Sequence, residues 1–282
     1  MRNLDMYNED AFDFYLEVFS KKQNSKIDPE YKKRLKLLEG NMKPLYQAYD
    51  ACVLGNTLTA LRANGYTGQE KTDLLKMYSF NSSTMRKLLT KLTTTSNKRK
   101  IAFCQNCSVG EVGSFDHFVP KDEFPEFSVN PKNLFPSCAK CNSYKGAAWR
   151  DAGRSLFLNL YLDMLPNKQY LFVDIADGGG VVQVDYFLKN SEGVIDVALF
   201  EKIESHYDQL KLLSRFKDVS HKIITELENT IEINRVHSSC AEIMETVIET
   251  ANKNRKYFGH NYYKSILEIA LANDPDFVSR FG

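Results

Sequence analysis

Apolar residues recur at helical spacing over most of the first hundred residues. Phe12, Tyr15, Leu16 and Phe19 form an i, i+3, i+4, i+7 stripe, with Asn8 placed as an N-cap. Asp28-Pro29 reads as a cap followed by proline at the first helical position, and Gly40 as the close of that helix. Thr67 and Glu70 have capping-box spacing ahead of Leu74, Leu75 and Tyr78. Ser82 or Ser83 opens a further helix with Met85, Leu88, Leu89 and Leu92 on one face. The pattern predicts an all-helical segment over 1–100.

The period then changes. An apolar run over 154–165 is closed by Pro166. Residues 170–175 and 181–188 alternate instead, with Val173 and Ile175 opposed to Asp174, and Val182, Val184 and Tyr186 opposed to Gln183 and Asp185. Asp177-Gly178-Gly179-Gly180 between them makes a β-hairpin turn, since no Gly-Lys-Ser/Thr or following helix supports a phosphate loop. Segment 156–190 is therefore expected to hold a helix and a hairpin. From Ile195 the helical period returns, first with Leu199, Ile203, Tyr207, Leu210 and Leu213, then with Ile223, Ile224, Leu227 and Ile231. Ser239 and Glu242 form a capping box before Ile243, Met244, Val247, Ile248 and Ala251; Gly259 ends that helix, and a last one is expected at about 262–272.

Composition narrows the class without naming a function. With 43% hydrophobic and 26% charged residues over 282 positions, the chain can bury a core and wholesale disorder is excluded. A net charge of +1 excludes a protein that coats nucleic acid by charge alone. Acidic residues near the N-terminus and the lack of a long apolar run predict a cytoplasmic protein that does not enter the membrane. Six cysteines in a reducing compartment favour metal ligation over disulfides; Cys52 and Cys240, alone in helical patterns, read as buried small apolar residues.

The remaining four cysteines form two C-x2-C knuckles, Cys104/Cys107 and Cys138/Cys141, suited to a structural tetrahedral Zn2+. Residues 108–137 between them exceed a common zinc ribbon and must hold an inserted structure: a strand at 114–119, a proline-punctuated loop at 120–131, a strand from 133 and a helix from 138. His117 is the histidine near the knuckles, and four thiolates leave it free to act as a general base. Asp116 offers a hard oxygen to Mg2+, and Asn142 a second. Adjacent strand residues point to opposite faces, so Asp116 and His117 share a site only where the strand twists or ends. Lys140, Lys145, Arg150 and Arg154 add positive charge. So does the acid-free run over 81–110 with Arg86, Lys87, Lys91, Lys98, Arg99 and Lys100, which reads equally as phosphate contact or as a solvated face.

The stretch FCQNC…DHFVPKDEF…NPKNLFPSCAKCNSYKG, about residues 101–150, resembles an HNH endonuclease of the ββα-metal class in its four-cysteine zinc form. The resemblance implies that His117 activates water, that Asp116 and Asn142 hold one catalytic Mg2+ or Mn2+, and that Asn133 fixes the loop and orients the histidine. It further implies that Cys104, Cys107, Cys138 and Cys141 hold Zn2+, and that Lys140, Lys145 and Arg150 contact a nucleic-acid backbone, DNA being favoured. Asn142 stands where many members carry His, which shifts preference toward hard ions. The wider run through FLNLYLDMLPNKQYLFV is similar to HNH subunits that accompany an ATPase in anti-phage systems of the Septu type, implying an ATPase partner. An HNH site cuts one strand, so duplex cleavage implies a homo-oligomer or two events.

The expected fold is mainly α, α+β overall, with a small zinc-stapled ββα core and a β-hairpin. Its segments are 1–100 (helical), 101–155 (ββα), 156–190 (helix and hairpin) and 191–282 (helical). The alternative function is a zinc-containing module that binds nucleic acid or protein without cutting; a nuclease silent until a partner binds is compatible with the first reading. His206, His221, His237 and His260 lack acidic or cysteine companions and read as surface or cap residues, and Trp149 as packing behind the ββα helix.

Overall fold

The computed structural model describes residues 1–95, 97–177 and 181–282. The chain is mainly α with small antiparallel sheets, and it divides into two compact units. One is Asn3–Asn106 with Gly110–Asp163; the other is Met164–Gly282 with Met1–Arg2 and Cys107–Val109.

The first unit begins with helices α1 (Ala11–Ser20), α2 (Tyr31–Leu54), α3 (Gly68–Leu75) and α4 (Ser83–Thr93). Asp10, not Asn8, caps α1 by accepting from the N–H groups of Phe12 and Asp13. Helix α2 starts after Glu30 and runs through both Gly40 and Pro44. Its buried stripe of Tyr31, Leu35, Leu38, Met42, Tyr46, Tyr49 and Val53 is continuous, and packing of that stripe outweighs the roughly 1 kcal/mol cost of one interior glycine. Thr67 sits at the N-cap of α3 without a side-chain cap bond, whereas Ser82 caps α4 through the Met85 N–H.

The ββα segment follows. Strand β1 (Ser114–His117) pairs antiparallel with β2 (Leu134–Ser137), Asp116 opposite Phe135 and His117 opposite Leu134, and α5 spans Ala139–Lys145. Asn133, fully buried, ties the intervening loop to the sheet. Its Oδ1 accepts from Val119 N–H at 2.8 Å, and its amide donates to the Val119 and Phe127 carbonyls at 3.1 and 3.3 Å. From α2, Tyr49 donates to the same Oδ1 at 3.2 Å while its ring lies 4.8 Å from that of Phe127. Helix α2, with the Leu74 carbonyl of α3 accepting from Ser128 Oγ at 2.8 Å, thus forms the floor on which the loop rests.

Strands β3 (Arg150–Asp151) and β4 (Arg154–Ser155) make a short hairpin. The helix expected within 156–190 is absent among the described residues: residues 156–170 are turns and irregular chain. Polar side chains there capture the backbone, Asp163 accepting from Asn159 N–H at 2.7 Å and Asn159 from Tyr161 N–H at 3.1 Å. Trp149 is buried edge-on against Phe124, and its Nε1 donates to Glu123 at 3.1 Å.

In the second unit, β5 (Leu171–Asp177) pairs with β6 (Val182–Leu188), burying Val182, Val184 and Tyr186 and exposing Gln183 and Asp185 as their alternation requires. The turn expected at Gly178, Gly179 and Gly180 lies outside the described residues. Helices α6 (Val197–Gln209), α7 (Leu212–Asn234), α8 (Cys240–Phe258), α9 (Tyr263–Asn273) and α10 (Pro275–Ser279) complete the unit, the last without a counterpart in the apolar pattern. The Ser239–Glu242 capping box is present, and Gly259 ends α8 with φ +108°. Phe216 of α7 stacks on Tyr263 of α9 at 4.7 Å and meets Tyr186 of β6 edge-on at 5.6 Å. His206 is not a surface residue: it lies on the inward stripe of α6 with Ile203 and is buried. Cys52 and Cys240 are half-buried rather than buried. Among the described residues no helix is long and apolar enough to cross a membrane.

Candidate active site and metal centre

Cys104, Cys107, Cys138 and Cys141 are all buried, and their Sγ atoms lie within 4.8 Å of one another. Tetrahedral zinc with Zn–S bonds of about 2.3 Å needs sulfurs about 3.8 Å apart, so this cluster can hold a zinc ion with little adjustment. Backbone amides already turn toward the sulfurs, Val109 N–H donating to Cys107 and Cys141 N–H to Cys138, each at 3.4 Å. Such bonds orient and polarise thiolates. Gly110 permits the close approach: a Cβ there would lie 2.9 Å from Cys138 Cβ and 3.0 Å from its Sγ.

Beside β1 is a cavity of about 280 Å³ lined by Asp116, His117, Asn142, Ser114, Tyr78, Phe80, Lys121 and their neighbours. The strand ends at His117, which lets consecutive residues reach one cavity despite strand alternation. Asn142, in the first turn of α5, is half-buried, and its amide donates to Ser114 Oγ at 3.5 Å. Asn133 lies beneath the loop, positioned to shape it and not to line the cavity.

His117 is buried, and its Nε2 is 2.8 Å from the Ser128 carbonyl. A carbonyl only accepts, so Nε2 carries the proton and Nδ1 keeps its lone pair. Burial, reinforced by the charges of Lys121 and Lys145, lowers its pKa to about 3, and the Ser128 contact opposes that only in part. The imidazole is therefore neutral at physiological pH. Asp116 responds oppositely: burial raises its carboxyl to about 6 against the pull of Lys145.

Lys145 departs from its expected place at a nucleic-acid backbone. Only 4% of its side chain is exposed; Nζ donates to the His117 carbonyl at 2.7 Å and stands 3.3 Å from Asp116 Oδ1. On α5, Lys145 falls on the face turned to β1, so its charge is spent inside. Arg150 is likewise engaged, donating to the Thr59 and Leu61 carbonyls and to Glu123. Lys140 is exposed. Lys121, at the cavity, is a cation that no motif marks, and the same holds for Phe80 and Ser128; Tyr78, expected on a helical stripe with Leu74 and Leu75, lies instead beyond the end of α3 at Leu75. No spacing rule links positions 78–80 to the Asp-His pair; only the fold brings them together.

A mainly α chain with a ββα segment, an Asp-His-Asn cavity and a four-cysteine cluster is the class that fold and site define. No protein-family model matches the chain, and no solved structure does. It is similar to Protein ea31 of Escherichia phage lambda, 25% identical over an alignment of 194 residues that covers 64% of each chain. It is also similar to Septu protein PtuB of Bacillus thuringiensis, 24% identical over 191 residues, 64% of this chain and 67% of that one.

Proposed function

We propose that this protein is a metal-dependent HNH endonuclease that hydrolyses nucleic-acid phosphodiester bonds, with DNA the favoured substrate, and that its catalytic core is segment 101–155. The observation that carries the reading is the convergence of Asp116, His117 and Asn142 on one cavity, with His117 held neutral and its tautomer set by the Ser128 carbonyl. In this reading Nδ1 takes the proton of a water that attacks phosphorus in line. Asn133 keeps the loop that carries Ser128 in register with β1. Lys145 holds the His117 carbonyl and so the end of the strand.

A carboxylate and a side-chain amide on one cavity are a hard-oxygen donor set that fits Mg2+ or Mn2+. Asp116 and Asn142 would hold that ion, which when bound supplies Lewis-acid stabilisation of the leaving 3′ oxygen. The similarity to Septu protein PtuB supports placing the enzyme in a defence system of the Septu type, and the resemblance to HNH subunits of such systems implies an ATPase partner. The test is cleavage of plasmid, linear duplex, single-stranded DNA and RNA with and without Mg2+, alone and with any co-purifying ATPase. The reading predicts Mg2+-dependent products with 5′-phosphate and 3′-hydroxyl ends. Products with 2′,3′-cyclic phosphate ends, or cleavage indifferent to divalent ions, would contradict it.

A further inference from the structure

The chemistry assigned to Asp116, His117 and Asn142 leaves two aromatic residues of the same cavity unexplained. Tyr78 and Phe80, from the segment between α3 and α4, are only half-buried and line the space in which a scissile phosphate would sit. Tyr78 stands edge-on to His117 at 4.8 Å, and Lys121 Nζ is 5.3 Å from the centre of its ring. Phe80 meets Phe115 edge-on at 5.8 Å, and the Arg86 guanidinium lies 4.4 Å over its ring. Both rings border open space at the site and each carries a cation.

Flat rings interleaved with cations are what a single-stranded nucleic acid recognises, bases stacking on the rings and phosphates meeting the charges. Size points the same way. A cavity of about 280 Å³ is near the roughly 300 Å³ lower end of ligand-sized clefts, room for one nucleotide. Resting on the nuclease reading, we propose that Phe80 and Tyr78 form a stacking shelf for an unpaired base next to the scissile phosphate. The preferred substrate is then a single-stranded or locally unpaired segment, not a continuous duplex.

The test uses fluorescence anisotropy with the full chain in a His117→Ala background, on a fluorescent single-stranded oligonucleotide and the matched blunt duplex, in Mg2+. Cleavage rates of both are measured in proteins with His117 intact. Phe80→Ala should weaken single-strand binding by about 5- to 150-fold, the range base–aromatic stacking commands, and leave duplex binding unchanged. Phe80→Leu, which keeps bulk against Phe115 without a flat face, should behave like Phe80→Ala, and Phe80→Tyr like the parent. Parental affinity in Phe80→Leu, or equal binding and cutting of the continuous duplex by the parent, would overturn the proposal. Loss of single-strand binding in Phe80→Ala without any cleavage by the parent would instead remove the nuclease reading and keep the shelf.

Discussion

Replacing Lys145 by Met keeps the length of the side chain and removes the positive charge buried beside Asp116. The Nζ–Oδ1 separation is 3.3 Å, and the side chains are 4% and 8% exposed. At an effective dielectric of about 20, that separation corresponds to about 5 kcal/mol, in line with the roughly 3–5 kcal/mol lost when one partner of a buried pair is removed. The His117 carbonyl also loses its donor at 2.7 Å. Because Asp116 titrates near 6 in the fold against 3.8 in the unfolded chain, the folded state binds more protons between those values, and this carboxyl lowers stability as pH rises through 6. His117 runs the other way, its depressed pKa giving stability that is lost as pH falls from 6.5 toward 3. Comparing variant with parent at each pH largely cancels the histidine contribution. At pH 5 Asp116 is mostly protonated, and Lys145→Met should cost only the carbonyl contact, about 1–2 kcal/mol. At pH 8 the carboxylate is stranded, and the loss should reach about 3–5 kcal/mol. Urea unfolding in Mg2+-free buffer, followed by fluorescence of Trp149, the sole tryptophan and a buried one in the same unit, reads the difference. An equal loss at both pH values would refute the electrostatic reasoning.

Gly110→Ala should lower zinc affinity and destabilise the first unit by about 1–3 kcal/mol, because its Cβ meets Cys138 at 2.9 Å; zinc content by mass spectrometry checks it, and full occupancy with parental stability would count against it. Asn133→Ala removes partners from Val119 and Phe127, and should cost about 3 kcal/mol in urea melts and reduce cleavage through a loosened loop. Ser239→Ala removes the α8 capping box and should cost about 1 kcal/mol, seen as faster amide exchange in the first turn of that helix, with cleavage unchanged.

Much of this was legible in the chain because each feature was signalled locally. The alternation of Val182, Val184 and Tyr186 set the inward face of β6, the Ser239–Glu242 spacing set the start of α8, and the cysteine spacing framed the ββα segment. What the sequence hid depends on distant partners. Gly40 looks like a terminator until the buried stripe of α2 carries the helix past it. Lys145 looks like one more surface cation until α5 turns it toward β1, where the His117 carbonyl and Asp116 receive it. Residues 156–165 are apolar enough for a helix, yet Asn159 and Asp163 bind the local backbone instead. Phe80 carries no motif and Tyr78 only a helical stripe that the structure does not extend to it; both reach the cavity from the segment that joins α3 to α4.

The most direct test of the central claim is the Mg2+-dependent cleavage rate of the His117→Ala protein beside the parent, at matched zinc content and matched unfolding midpoint. The account predicts that the parent cuts and the variant falls by a factor of about 10² or more, the scale of a lost general base. A variant that cuts at the parental rate would contradict it.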